Sequence, residues 1–105
     1  MRTVYFIYAD GCEKCMAMRE ILLSLQYDLN KETKYFDIVE MECDTDAAVD
    51  YAVDNGIDEI PAVKIDNLVI QGEDVRLEFT GMKLLRLEIE MRLKSARKWT
   101  STLIY

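Results

Sequence analysis

The chain has 105 residues, half of them apolar, enough for one small domain around one core. Its formal charge of −7 is the wrong sign for a protein whose main partner is nucleic acid. No stretch is apolar for long enough to cross a bilayer, three cysteines are an odd count for a disulfide framework, and the lack of histidine removes Cys/His proteases and most zinc chemistry.

In chain order, the first segment is apolar and β-prone over residues 3–9, which predicts a strand buried on both faces. It has no small-residue cleavage pattern behind it, so it reads as a strand and not a signal peptide, and the expected location is cytoplasmic, where thiols are mostly reduced. Asp10 and Gly11 break it. From Glu13, the apolar positions Met16, Ile21, Leu22, Leu25 and Leu29 recur at helical spacing among good helix formers, predicting a helix that ends near Asp28–Asn30. Residues 35–43 predict a second strand, with Val39, Met41 and Cys43 on an apolar side and Glu40 and Glu42 on a wet one. A turn with an N-cap at Asp44–Asp46 leads into a short helix closed by Asn55-Gly56.

Residues 62–65 and 68–70 predict two further strands joined at Asp66-Asn67, both tolerant of positive φ. Gly72 ends that hairpin. Val75, Leu77 and Phe79 alternate as in a strand, yet Val75, Phe79, Met82, Leu85, Ile89, Leu93 and Ala96 also form one helical stripe. Helix is the preferred reading, since Glu73 and Asp74 suit a helix start, with Gly81 a candidate break. On this helix Met82, Leu85, Ile89 and Leu93 share one side, and Leu84, Leu87 and Met91 the opposite one. One stripe must cover the sheet; the other is either ordinary exposed apolar surface or a homodimer or partner face. Residues 82–105 are basic (6 Lys+Arg, 2 Asp+Glu) and residues 1–81 acidic (7 against 18). The expected architecture is α/β, β-α-β-α-β-β-α: a four-stranded mixed sheet with helices on both faces, one domain over 1–105 with its core at about 3–98 and a tail at 99–105.

Cys12 and Cys15 stand where the first strand gives way to the first helix. Free N–H groups of a helix's first turn, together with the helix dipole, favour a thiolate at the cap. A spacing of three returns Cys15 beneath Cys12, so one sulfur attacks a disulfide and the other resolves the mixed disulfide. Lys14 favours the thiolate and Glu13 opposes it. Three other uses remain open: half of a zinc site with Cys43 as a third ligand, an iron–sulfur cluster shared between two chains, or packed core cysteines. No complete metal set is legible. Cys43, alternating with Met41 and Val39, reads as a packed strand residue. Pro61 begins a strand after Ile60; a cis bond there would turn the Ile60 backbone outward toward an extended peptide, and spacing alone favours trans.

The segments YADGCEKC, NGIDEIPAVKI and LVIQGED together resemble the thioredoxin-like superfamily, and look most like small glutaredoxin-like proteins, over roughly residues 3–98. The resemblance implies a thiol–disulfide oxidoreductase with Cys12 as nucleophile and Cys15 as resolving thiol. It implies a cis bond at Ile60–Pro61, with the Ile60 backbone pairing with substrate. Gly72 and Asp74 fall where glutaredoxins hold the glutathione γ-glutamyl group. No resident cofactor is implied; glutathione is a candidate reductant, and the partners would be a disulfide-bearing protein or glutathione mixed disulfide and a reductase, with no nucleic acid or membrane. The chain departs from the pattern at Ala9, where many glutaredoxins have lysine, at Phe6, where thioredoxins have a buried aspartate, and at Glu13-Lys14 between the cysteines. Acidity beside such a pocket opposes an anionic tripeptide, so a protein dithiol is an equal candidate. The alternatives are a redox-inactive binding module of the same fold and a dimeric iron–sulfur carrier.

Overall fold

The computed structural model describes residues 2–31, 36–75 and 79–102. The elements are β1 (Arg2–Tyr8), α1 (Glu13–Leu29), β2 (Phe36–Glu42), α2 (Asp46–Asp54), β3 (Ala62–Ile65), β4 (Leu68–Gln71), a 3-10 turn (Gly72–Asp74) and α3 (Phe79–Thr102). The strands form one sheet in the order β2-β1-β3-β4. β1 runs parallel to β2 and antiparallel to β3, and β3 pairs antiparallel with β4. This is the expected mixed sheet, with the crossover through α1 joining its parallel pair.

The pleat of β1 divides the core. Val4 and Phe6 point to one side, where α1 supplies Cys15, Met18, Leu22 and Leu25 and α3 supplies Leu85, Ile89 and Leu93. Ile7 points to the other side, against Ala48 of α2, Ile57 and Ala62. Tyr5, also on that side, stacks on Tyr51 at 4.6 Å between ring centroids. Helices therefore cover both faces: α1 and α3 together, α2 alone. Arg86 of α3 ties the paired helices by donating to Asp28 of α1 at 2.6 Å. No helix among the described residues is long and apolar enough to cross a membrane.

Local chemistry explains the element ends. Asn30 caps α1 with its N–H on the Gln26 carbonyl, and its side chain exchanges two hydrogen bonds with the Phe36 backbone, which starts β2. Thr45 is the N-cap of α2, its Oγ1 accepting the Ala48 N–H at 3.2 Å, within the predicted turn. Asn55-Gly56 closes that helix, with Gly56 at φ +67°. In the β3–β4 hairpin Asp66 has positive φ (53°) and Asn67 does not; Asp66 also pairs with Arg2.

Several expectations are corrected. Met16 is 60% exposed while Met18 is fully buried: the stripe that meets the sheet is Cys15, Met18, Leu22 and Leu25. Val39 is exposed, because the nine-residue α2 reaches only Met41 and Cys43 on that side of the edge strand. Phe36 and Ile38, on the side expected to be wet, pack under α1. Glu73 and Asp74 do not start a helix. Asp74 accepts the Gln71 N–H across a single turn, and Val75 is extended with its side chain in the core. α3 begins at Phe79 and runs unbroken through a buried Gly81 to Thr102, past the expected tail boundary at 99. The expected stripe splits as read: Leu85, Ile89 and Leu93 are buried, while Leu84, Leu87 and Met91 are exposed. Tyr35, Leu77, the Phe79 and Ala96 side chains and residues 103–105 lie outside the described residues.

Candidate redox-active site

The carboxyl ends of two parallel strands are where an α/β sheet leaves room for a ligand, because the following helices start there. β1 ends at Tyr8, and Gly11, with φ +72°, turns the chain into α1. Cys12 is the N-cap, its backbone extended and its sulfur accepting the Cys15 N–H at 3.1 Å. A cap is normally an oxygen that satisfies one of the orphan donors; here a thiol does so, and the bond is strongest when the sulfur is an anion. Cys12 is half-buried and Cys15 is 2% exposed. The Cys15 sulfur in turn accepts the Ala9 N–H at 3.5 Å. Both thiols are free, and the helix start thus stacks them in two layers, an outer and an inner one. Glu13 is exposed and Lys14 half-buried beside them.

The Cys15 thiol is pushed up to about 11. Burial is the largest cause; a hydrogen bond with Cys12 and the Cys12 charge add to it, and the Ala9 N–H opposes it. Unfolded, the same thiol titrates near 9.0. Between these values the unfolded chain has released the proton and the folded chain still holds it, so unfolding releases a proton and rising pH favours the unfolded state. The contribution is whole below about 9 and is lost as pH climbs toward about 11. Urea midpoints of the parent should therefore fall across that window faster than those of Cys15→Ala. Burial also raises Cys43 and Tyr51, but both remain in each protein, so the difference isolates Cys15. Parallel profiles would refute this.

The Ile60–Pro61 bond is cis. The β1–β3 ladder ends where Ile7 pairs with Ala62, so Pro61 directly precedes its last pair, at the end of β1 that leads on to Cys12. Pro61 is fully buried and Ile60 is 39% exposed. The sheet thus brings the Ile60–Pro61 segment to the same end as the Cys12–Cys15 helix start. On the other flank, the Cys43 N–H donates to the Tyr8 carbonyl at 2.8 Å, continuing the β1–β2 pairing, while its side chain joins the α2-side cluster. Cys43 is thus near the pair in the backbone but faces the other layer, and among the described residues no three metal-ligating side chains converge.

Gly72 and Asp74 are brought to the same end of the sheet but are already engaged. The Gly72 N–H donates to the Pro61 carbonyl at 3.0 Å. Its φ of +52° suits glycine, and a Cβ there would collide with the Glu59 carboxylate. Asp74 holds the Gln71 N–H. The sequence reading gave Glu59, which covers Gly72, no role, and read Gln71 only as a partial match to the Gly-Gly turn of glutaredoxins; its Oε1 accepts the N–H groups of both Asp58 and Glu59 at 3.0 Å. The available signal was the Gln71-x-x-Asp74 spacing, a variant of a capping box. A cleft lined by Phe6, Arg19, Leu22, Ile38 and Glu40 opens beside β2, and none of the predicted site residues borders it.

No protein-family model matches this sequence, and no curated protein does. Solved structures do. An uncharacterized thioredoxin-like protein from Clostridium perfringens superposes with a TM-score of 0.66 at 19% identity, over 90% of this chain and 70% of that one. A malarial protein superposes with a TM-score of 0.53 at 11% identity, over 85% of this chain and 96% of that one. At these identities the likeness is one of fold, and the fold is thioredoxin-like.

Proposed function

We propose that this thioredoxin-like chain reduces or exchanges disulfides through Cys12 and Cys15. The observation that carries the reading is the layered pair: Cys12 capping α1 through the Cys15 N–H, and Cys15 buried beneath it on the Ala9 N–H. The Cys12 thiolate attacks one sulfur of a substrate disulfide. The substrate S–S bond breaks, a Cys12–substrate disulfide forms, and the departing thiolate takes a proton from solvent. Cys12 has then lost its negative charge, and the part of the Cys15 shift that comes from Cys12 is lost with it, while burial, the largest cause, remains. Cys15 releases that proton more readily at this point, attacks the Cys12 sulfur and expels the second substrate thiol. The substrate gains two electrons, the pair becomes a disulfide, and an external thiol or dithiol returns the electrons.

Exposed Ile60 follows the exposed Asp58 and Glu59 in the chain, and the exposed Glu73 and Asp74 lie in the turn whose Gly72 N–H binds the Pro61 carbonyl. Glutathione is anionic at neutral pH, and an excess of acidic side chains at this end, with Lys14 opposing it beside the cysteines, lowers its local concentration. A disulfide or dithiol on a protein segment fits this end better, above all where basic residues flank the sulfur.

The experiment supplies glutathione with its reductase, or thioredoxin with its reductase, and follows reduction of a model disulfide. Turnover is expected with both, faster with the protein dithiol; no turnover with any reductant would refute the reading. One observation favours a second reading, a redox-inactive binding module: α3 exposes Leu84, Leu87 and Met91, with 61%, 48% and 59% accessibility, in one stripe. That module would be left standing if the cysteines proved idle.

A further inference from the structure

The segment that would receive the substrate is a loop, and the structure shows what holds it. Between α2 and β3 the chain runs through residues 57–61, leaving the helix by the Ile57 N–H on the Ala52 carbonyl and joining the sheet at Pro61, whose carbonyl accepts the Gly72 N–H. Between these anchors lie Asp58, Glu59 and Ile60, all exposed. The hydrogen bonds of the Asp58 and Glu59 N–H groups go to a single atom, the side-chain oxygen of Gln71, at 3.0 Å each. Gln71 is the last residue of β4, opposite Ala62 in the ladder, and its own N–H is held by Asp74 at 3.3 Å. A side chain rooted in the sheet thus reaches across the hairpin end to fix two consecutive amides just before Ile60.

We propose that Gln71 is a positioning residue for substrate binding, holding the 58–60 backbone so that Ile60 is presented to an extended peptide beside Cys12. The inference rests on the disulfide-exchange reading above. Gln71 touches no reacting atom and acts through Ile60. Its loss frees a stretch of backbone that must then be ordered again each time a peptide binds, which weakens binding and not the sulfur chemistry. A substrate too small to reach Ile60 does not feel the change.

The test compares the parent, Gln71→Ala and Gln71→Glu, the last retaining an acceptor oxygen at the same reach. Two substrates are used with dithiothreitol as electron source: a disulfide-linked fluorogenic peptide and hydroxyethyl disulfide. For Gln71→Ala, KM for the peptide should rise about tenfold, equal to about 1.4 kcal/mol, with kcat held. Turnover of hydroxyethyl disulfide and the rate of Cys12 alkylation should match the parent. Gln71→Glu should recover most of the peptide KM. Amide hydrogen exchange at Asp58 and Glu59 should quicken in Gln71→Ala and slow again in Gln71→Glu. An unchanged peptide KM, or an equal fall with both substrates, overturns the positioning role while leaving disulfide exchange intact. A parent that reduces neither substrate overturns the functional reading, and this inference with it.

Discussion

Cys12→Ser is expected to lower disulfide turnover on the order of a thousandfold or more while leaving the fold in place, because a serine hydroxyl is a far weaker nucleophile toward sulfur than a thiolate. The fold should survive for a specific reason. Cys12 caps α1 by accepting the Cys15 N–H, and serine is among the best residues at that position. Loss of turnover in a variant that unfolds no earlier than the parent then reports chemistry and not collapse. Cys15→Ser should behave differently. Its Cys12 still attacks, nothing resolves the adduct, and the protein should accumulate as a mixed disulfide with its substrate, visible as a mass increase that dithiothreitol removes. The buried Cys15 site sits on the Ala9 N–H, which a hydroxyl can also satisfy. If Cys12→Ser turned over as fast as the parent, the layered pair would have no role in exchange.

The second large effect concerns what holds the site's floor. Ile89→Ala should cost about 2–5 kcal/mol of stability, since Ile89 is fully buried between α3, α1 and the sheet and its removal leaves a cavity. Leu84→Ala, on the opposite side of the same helix and 61% exposed, should stay within about 0.5 kcal/mol of the parent. Urea unfolding with a shared m-value decides it. Equal losses would mean that both sides of α3 are covered in solution, and a Leu84 effect that depends on protein concentration would identify a second copy as the cover.

Much of this arrangement is legible in the residues alone. Periodicity is a local property, and it separates the strand at residues 3–9 from the helix that follows and finds the buried Leu85, Ile89 and Leu93 stripe. The Cys12–Cys15 pair is legible for the same reason, because capping and a spacing of three act within one helical turn. The misreadings have equally physical causes. Met16 and Met18 are chemically identical, so only the direction in which the sheet lies decides which is buried. Glu73 and Asp74 suit a helix start, yet Asp74 spends its carboxylate on the Gln71 N–H and the core takes Val75 in extended form, which ends the turn they belong to.

The order of elements, the cysteine pair at a helix start and the apolar face of α3 were determined by the sequence itself, since each depends on neighbours within a turn or two of chain. Only the tertiary structure decided that Ile60–Pro61 arrives at the end of β1 that leads to Cys12, that Cys43 faces the layer away from Cys15, and that Gln71 reaches back to Asp58 and Glu59. Those relations join residues a dozen to fifty positions apart, and what brings them together is strand register and the pleat, which no local pattern of residues encodes.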